Sequence, residues 1–201
     1  MSAQLKYKLT ADDYLALERE AEYKSEFYHG EIFAMAGASE SHVTIVGNLS
    51  GELRQKLKDR PCKSYANDMR LRVNATGLYT YPDVIVVCGQ RIFADDQKDT
   101  LLNPTVIIEV LSDSTKDYDR GGKFAHYRKL DSLQEYILVA QDEAHIEQLI
   151  RQPDGRWIFS EINGLDAMLR LNSIECEIAT AEIFDKVDFP VKPVIFEERE
   201  I

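Results

Sequence analysis

The chain has 201 residues, enough for one domain with a substantial core. Hydrophobic residues make up 44% and charged residues 29%, the balance of an ordinary soluble globular protein. The formal net charge of -11 counts against strong non-specific affinity for nucleic acid, which depends on Lys and Arg neutralising phosphates. A local basic cleft stays open, because net charge does not describe distribution.

The longest apolar runs are strand-sized, so no membrane span is expected. The start, "MSAQLKYKLTADDY", has no apolar core and reads as mature chain rather than a secretion signal. Cys62, Cys88 and Cys176 are few, odd in number and without CxxC spacing. They argue against a disulfide framework and a thiolate zinc site, and fit a reducing cytoplasm.

In chain order, Thr10 followed by Asp13 has the form of a capping box and opens a short helix through Tyr14, Leu15 and Leu17. "SEFYHGEIFAMAG" reads as extended structure with a turn at His29-Gly30. Ser39 or Ser41 caps a longer helix to Lys58, whose apolar face carries Ile45, Val46, Leu49, Leu53 and Leu57. Pro61 ends it. Two strand-like segments follow: the mixed "CKSYANDMRLRV", then "YPDVIVVCG" after a turn. A polar loop, "QRIFADDQKDTLLNP", leads to the apolar strand "TVIIEVL" and a second helix over residues 118–130. "EYILVA", "HIEQLIRQ" and "RWIFSEI" are strands, the last two joined by a turn at Pro153-Asp154-Gly155. The final thirty residues are weakly informative. With no repeat or linker, residues 1–201 form a single α/β domain, a mixed β-sheet flanked by helices with a small antiparallel extension.

Two strands each carry one acid. Asp83 follows Pro82 at the start of "VIVVC", and Glu109 interrupts "TVIIEVL"; both runs suit strands covered on both faces. If the strands are neighbours, the two carboxylates converge and suit a hard cation such as Mg²⁺. The alternative is a turn-capping Asp83 and a Glu109 that pairs with a buried cation. On a helical wheel of about 100° per residue, Lys123 falls within the inward arc of Phe124, Tyr127 and Leu130, whereas Lys129 falls opposite. Lys123 can therefore meet Glu109, or pair with Asp119 four residues earlier. Gly121-Gly122 beside Arg120 and Lys123 could receive a phosphate at a helix start, a weak signal alone. Glu31 could add a third acid or be an exposed turn carboxylate. His42 shares a face with Val46 and Leu49 and suits packing or capping more than metal ligation, while His29 and His145 suit surface turns.

"PDVIVV", "EVLSDST", "DRGGKFAHY" and "EYILV", in this order, resemble the Uma family of putative restriction endonucleases, within the PD-(D/E)XK nuclease superfamily. The resemblance spans residues 10 to 190. It implies a restriction-endonuclease-like core in which Asp83 and Glu109 hold Mg²⁺, with Mn²⁺ as a substitute. The backbone carbonyl of Val110 would add a ligand, and Glu31, in a "GE" element, would be a further candidate. The superfamily lysine two residues after the glutamate is Leu111 here, and the resemblance places it at Lys123 instead. The implied function is endonucleolytic hydrolysis of DNA in the cytoplasm, by a homodimer, with Arg120 contacting substrate and Arg70 and Arg72 as further phosphate contacts or solvated surface charges. Two rivals stand beside it: an inactive nuclease-like fold that binds DNA or protein, and a metal-free domain in which Glu109 pairs only with Lys123.

Overall fold

The structure, a computed structural model, describes residues 8–190. The expected mature N-terminus falls partly on residues 1–7, outside the described residues, as do residues 191–201 of the weakly informative tail. No helix among the described residues is long and apolar enough to cross a membrane.

Helix α1 (Ala11–Glu20) begins with the expected capping box: the Asp13 amide donates to Thr10 Oγ1, and the Thr10 amide donates to Asp13 Oδ2. Strands β1 (Ser25–Tyr28) and β2 (Glu31–Ala34) form a hairpin, with His29 and Gly30 both in the left-handed region at φ 53° and 85°. Two positive φ values are what a tight two-residue hairpin turn requires. Helix α2 (Glu40–Lys56) starts at Ser39, whose side chain accepts from the His42 amide, and buries Ile45, Val46, Leu49 and Leu53.

The two expected segments after α2 resolve into four strands: β3 (Cys62–Ala66), β4 (Arg70–Val73), β5 (Leu78–Thr80) and β6 (Val84–Cys88). The polar loop contributes β7 (Thr100–Leu101), which lies parallel to β4. After β8 (Val106–Leu111) comes a helical run that is not one regular helix. It consists of α3 (Lys116–Tyr118), a π-helical turn (Asp119–Lys123) and α4 (Phe124–Tyr127). Strands β9 (Glu135–Ala140), β10 (His145–Arg151) and β11 (Trp157–Asn163) follow, then the hairpin of β12 (Met168–Leu171) and β13 (Cys176–Ala179), and α5 (Thr180–Ile183).

Six strands form the main sheet, in the order β11-β10-β9-β8-β6-β3, and five form a second sheet, β2-β1-β5-β4-β7. The main sheet is mixed: β8 runs parallel to β9 and antiparallel to β6. Side chains alternate across it. Val84, Val86, Val106, Ile108 and Val110 face α2 and the β12–β13 hairpin, whereas Ile85, Val87, Ile107 and Leu111 face Tyr127, Leu130 and the second sheet. Every residue of β8 is buried, so β8 is covered on both faces as its unbroken apolar run requires.

The cysteine reading is corrected. The β3–β6 register sets Cys62 directly opposite Cys88, and the two are joined as a disulfide with Cα atoms 3.9 Å apart. Cys176 remains a buried free thiol. A separation of 26 residues carries no motif, and only strand register brings the pair together.

Candidate active site

The antiparallel pairing of Val84 with Ile108 sets Asp83 beside Glu109. Their carboxylates are held by each other's strand. The Asp83 amide donates to Glu109 Oε2 at 3.2 Å, and the Val110 amide donates to Asp83 Oδ2 at 2.8 Å. The Asp83 carbonyl accepts from the Asn67 amide beyond the end of β3. The second oxygen of Asp83, Oδ1, lies 2.9 Å from His42 Nε2 on α2. The His42 amide donates to the Ser39 cap, and its ring, which packing or capping was expected to occupy, reaches Asp83 instead.

Glu109 is 3% exposed and faces the second layer between Ile107 and Leu111. Its Oε1 accepts from Tyr127 Oη at 2.8 Å and from Lys123 Nζ at 3.3 Å. Lys123, 7% exposed, lies on the inward side of the helical run. Both alternatives for its partner hold together, because Nζ is also 3.0 Å from Asp119 Oδ1. That contact is an ion pair without hydrogen-bond alignment, and it leaves Asp119 Oδ1 with no hydrogen-bond donor. A third carboxylate, Glu26 on β1, lies 3.7 Å from Nζ and accepts from Thr80 Oγ1 at 2.5 Å.

One ammonium therefore faces Glu26, Glu109 and Asp119. Burial pushes the Glu109 carboxyl above the usual carboxylate range, against the opposing pull of Lys123. Burial alone would lower Lys123, but Glu109, Asp119 and Glu26 outweigh it and hold the lysine protonated. Tyr127 is raised by burial and by the adjacent Glu109, so its hydroxyl remains a donor.

The remaining expected residues lie elsewhere. Glu31 is exposed on the edge strand β2, and the carboxylate of this hairpin that meets Lys123 is Glu26. Arg120 is engaged by Glu147 at 2.7 Å. Arg70 is neither solvated nor at the site: it is 4% exposed and bonded to Tyr81 and Thr100. Arg72 lies over the Tyr79 ring. Val110 meets Asp83 through its amide.

Two convergent carboxylates fit a hard divalent cation. Each of the four oxygens meets at most two polar partners, and Mg²⁺ commonly uses one or two protein carboxylates with waters filling its shell. Among the described residues, no group of three or more His, Cys, Asp or Glu side chains is arranged to hold a metal.

A mixed sheet flanked by helices, with paired acids on adjacent central strands, is a nuclease-like fold. A putative nuclease from Anabaena variabilis, of the DUF820 family, superposes with a TM-score of 0.73 at 20% identity, covering 88% of this chain and 97% of its own. The chain belongs to the Uma2 family, described as putative restriction endonucleases, whose model matches residues 11–181. Two uncharacterized Synechocystis proteins are similar across most of their length. The protein sll1609 is 38% identical over 82% of this chain and 93% of its own, and slr1290 is 35% identical over 90% and 94%.

Proposed function

We propose that the chain is a Mg²⁺-dependent endonuclease that hydrolyses DNA phosphodiester bonds, with Mn²⁺ as a substitute. The observation that carries this reading is the Asp83–Glu109 pair, cross-bonded between neighbouring strands, with Lys123 Nζ 3.3 Å from Glu109. Asp83 and Glu109 are the cation ligands in this proposal. A cation bound there supplies charge neutralisation at the phosphoryl oxygens and a more acidic water. Lys123 orients the attacking water or offsets charge that develops on the phosphate, and Asp119 and Glu26 keep it protonated. His42 holds Asp83 Oδ1 and fixes the carboxylate plane. A homodimer, with paired sites for paired nicks, completes the proposal.

Nicking of supercoiled plasmid in Mg²⁺ or Mn²⁺ tests it. Asp83→Ala and Lys123→Ala should each abolish cleavage while circular dichroism shows a folded chain. Full nicking by either folded variant overturns the assignment.

A second reading, an inactive nuclease-like binding module, is favoured by one observation: Lys123 already neutralises Glu109 without a cation. Titration calorimetry separates the two, because the inactive module takes up neither Mg²⁺ nor Mn²⁺.

A further inference from the structure

The interior rings pack on one another: Tyr14 on Phe27 and Tyr79, Phe124 on Tyr136 and Trp157, and Tyr28 on His126. Phe33 and Tyr118 meet no other ring among the described residues, and they are 49% and 40% exposed. Exposed apolar side chains scattered singly need no explanation. These two converge on one place. In the β1–β2 register Phe33 stands directly opposite Glu26, and residues so paired project from the same face of a sheet, with Cβ atoms about 5 Å apart. That face meets the helical run, since Glu26 lies 3.7 Å from Lys123 Nζ. Tyr118 covers the same ammonium, with Nζ 5.8 Å from its ring centroid. Burial raises the Tyr118 hydroxyl, and Glu26 is the charge that raises it most, as expected of a hydroxyl beside that carboxylate. Gly122 makes room for the ring, because a Cβ there would lie 2.5 Å from it. Two exposed rings thus border the Glu26–Lys123 contact, and Lys123 Nζ is 3.3 Å from Glu109.

We propose that Phe33 and Tyr118 stack on nucleobases next to the Asp83–Glu109 centre, and that the chain selects DNA with unpaired nucleotides over a fully paired duplex. The choice of DNA rests on the nuclease reading above; the stacking rests on the two rings. In a duplex both faces of each base are covered by its neighbours, so only an unpaired or extruded base offers a face to a protein ring. Charge points the same way. Glu26, Glu109 and Asp119 surround one ammonium, in a chain of net charge -11. Phosphate neutralisation by Lys and Arg, which dominates duplex binding, has little to act through at this edge. Stacking needs no cation, and it tolerates any base because every base has a π-face. The two rings set specificity and do not touch the reacting atoms.

Fluorescence anisotropy tests the proposal, using the full chain with Ca²⁺ in place of Mg²⁺. The probes are a labelled duplex with a two-nucleotide bulge containing 2-aminopurine, and its fully paired counterpart. The native chain should bind the bulged duplex at least about tenfold more tightly and quench the 2-aminopurine. Phe33→Ala/Tyr118→Ala, folded by circular dichroism, should lose about 5- to 150-fold on the bulged duplex and bind both probes alike. Phe33→Leu, apolar but without a ring, should lose as much as Phe33→Ala, and Phe33→Trp should restore binding. Phe159→Ala, which removes an exposed ring on the outer strand β11, should bind like the native chain.

Equal binding of both probes by the native chain, binding of neither, or a double variant that keeps the preference each overturns the stacking. So does a Phe33→Leu chain that binds like the native one, or a Phe159→Ala chain that loses as much as the double variant. A dimer by sedimentation that Phe33→Ala converts to a monomer, with the bulge preference intact, assigns Phe33 to a contact between copies and also overturns it. Cleavage in Mg²⁺ or Mn²⁺ separates this proposal from the nuclease reading. Cleavage of both probes at equal rates, unaffected by the double variant, overturns the stacking alone. Ring-dependent preference for the bulge, with cleavage of neither probe nor bis(p-nitrophenyl) phosphate, overturns the nuclease reading and supports the stacking.

Discussion

Lys123→Met removes the ammonium from the centre and keeps most of the side chain's length. The Nζ it removes lies 3.0 Å from Asp119, 3.3 Å from Glu109 and 3.7 Å from Glu26. At an effective dielectric near 20, each contact is worth about 5 kcal/mol before desolvation. Much of that is offset by the cost of taking four charges out of water, and breaking such a cluster costs about 3–5 kcal/mol net. The loss should depend on pH. Burial already raises Glu109, and without the lysine it rises further. A carboxyl raised in the folded state contributes stability below its unfolded value, and that contribution is lost as pH rises through the folded value. The deficit of the variant should therefore be small near pH 5 and largest near pH 9, where the carboxylates must be buried charged. Urea denaturation in EDTA, followed by circular dichroism at both pH values, measures it. Glu109→Gln added to Lys123→Met should recover at least about 1 kcal/mol at pH 9, since the two sites share one contact. A deficit below about 1 kcal/mol, or one equal at both pH values, would show that the ammonium does not compensate these acids.

Reduction of the Cys62–Cys88 bond, which closes a loop of 26 residues, should lower stability by about 3–4 kcal/mol through the unfolded chain, measured by denaturation with and without dithiothreitol. The paired glycines should respond oppositely to alanine. At Gly121 an added Cβ meets open space, so Gly121→Ala should be neutral or stabilising by up to about 1 kcal/mol. At Gly122 the Cβ would lie 2.5 Å from the Tyr118 ring, which sits over Lys123, so Gly122→Ala should destabilise by about 1–3 kcal/mol in a thermal melt. Tyr127→Phe removes a 2.8 Å donor to a buried carboxylate and should cost about 1.5–3 kcal/mol by urea denaturation.

What the sequence made legible was local or periodic. The Thr10 cap, the His29-Gly30 turn and the buried face of α2 each follow from a few adjacent residues, and each is present. The inward position of Lys123 was legible because the wheel was anchored on Phe124 and Tyr127, immediately downstream in α4. The π-helical winding upstream of it left no periodic signal. Glu26 was not legible: it alternates with Phe27 like any half-exposed strand residue, and its partner Thr80 arrives through pairing of β1 with β5, 54 residues away. The same holds for the ring of His42, whose apolar spacing on α2 describes its neighbours but not the end of the strand it faces. The cysteine pair and the division into two sheets depend on register, which composition does not contain.

Leu111 keeps β8 apolar on the face that carries Glu109. It lies two residues beyond Glu109 on the same face of β8 and is 5% exposed within the second core cluster. A lysine there would put a second charge on a strand covered on both faces, at a position now filled by an apolar side chain. Lys123 brings the ammonium to Glu109 Oε1 from the facing layer, and leaves Oε2 to the Asp83 amide. The two oxygens are thus divided, one to the lysine and Tyr127 and one toward Asp83. The ammonium reaches this carboxylate from the facing layer, while β8 keeps its apolar packing.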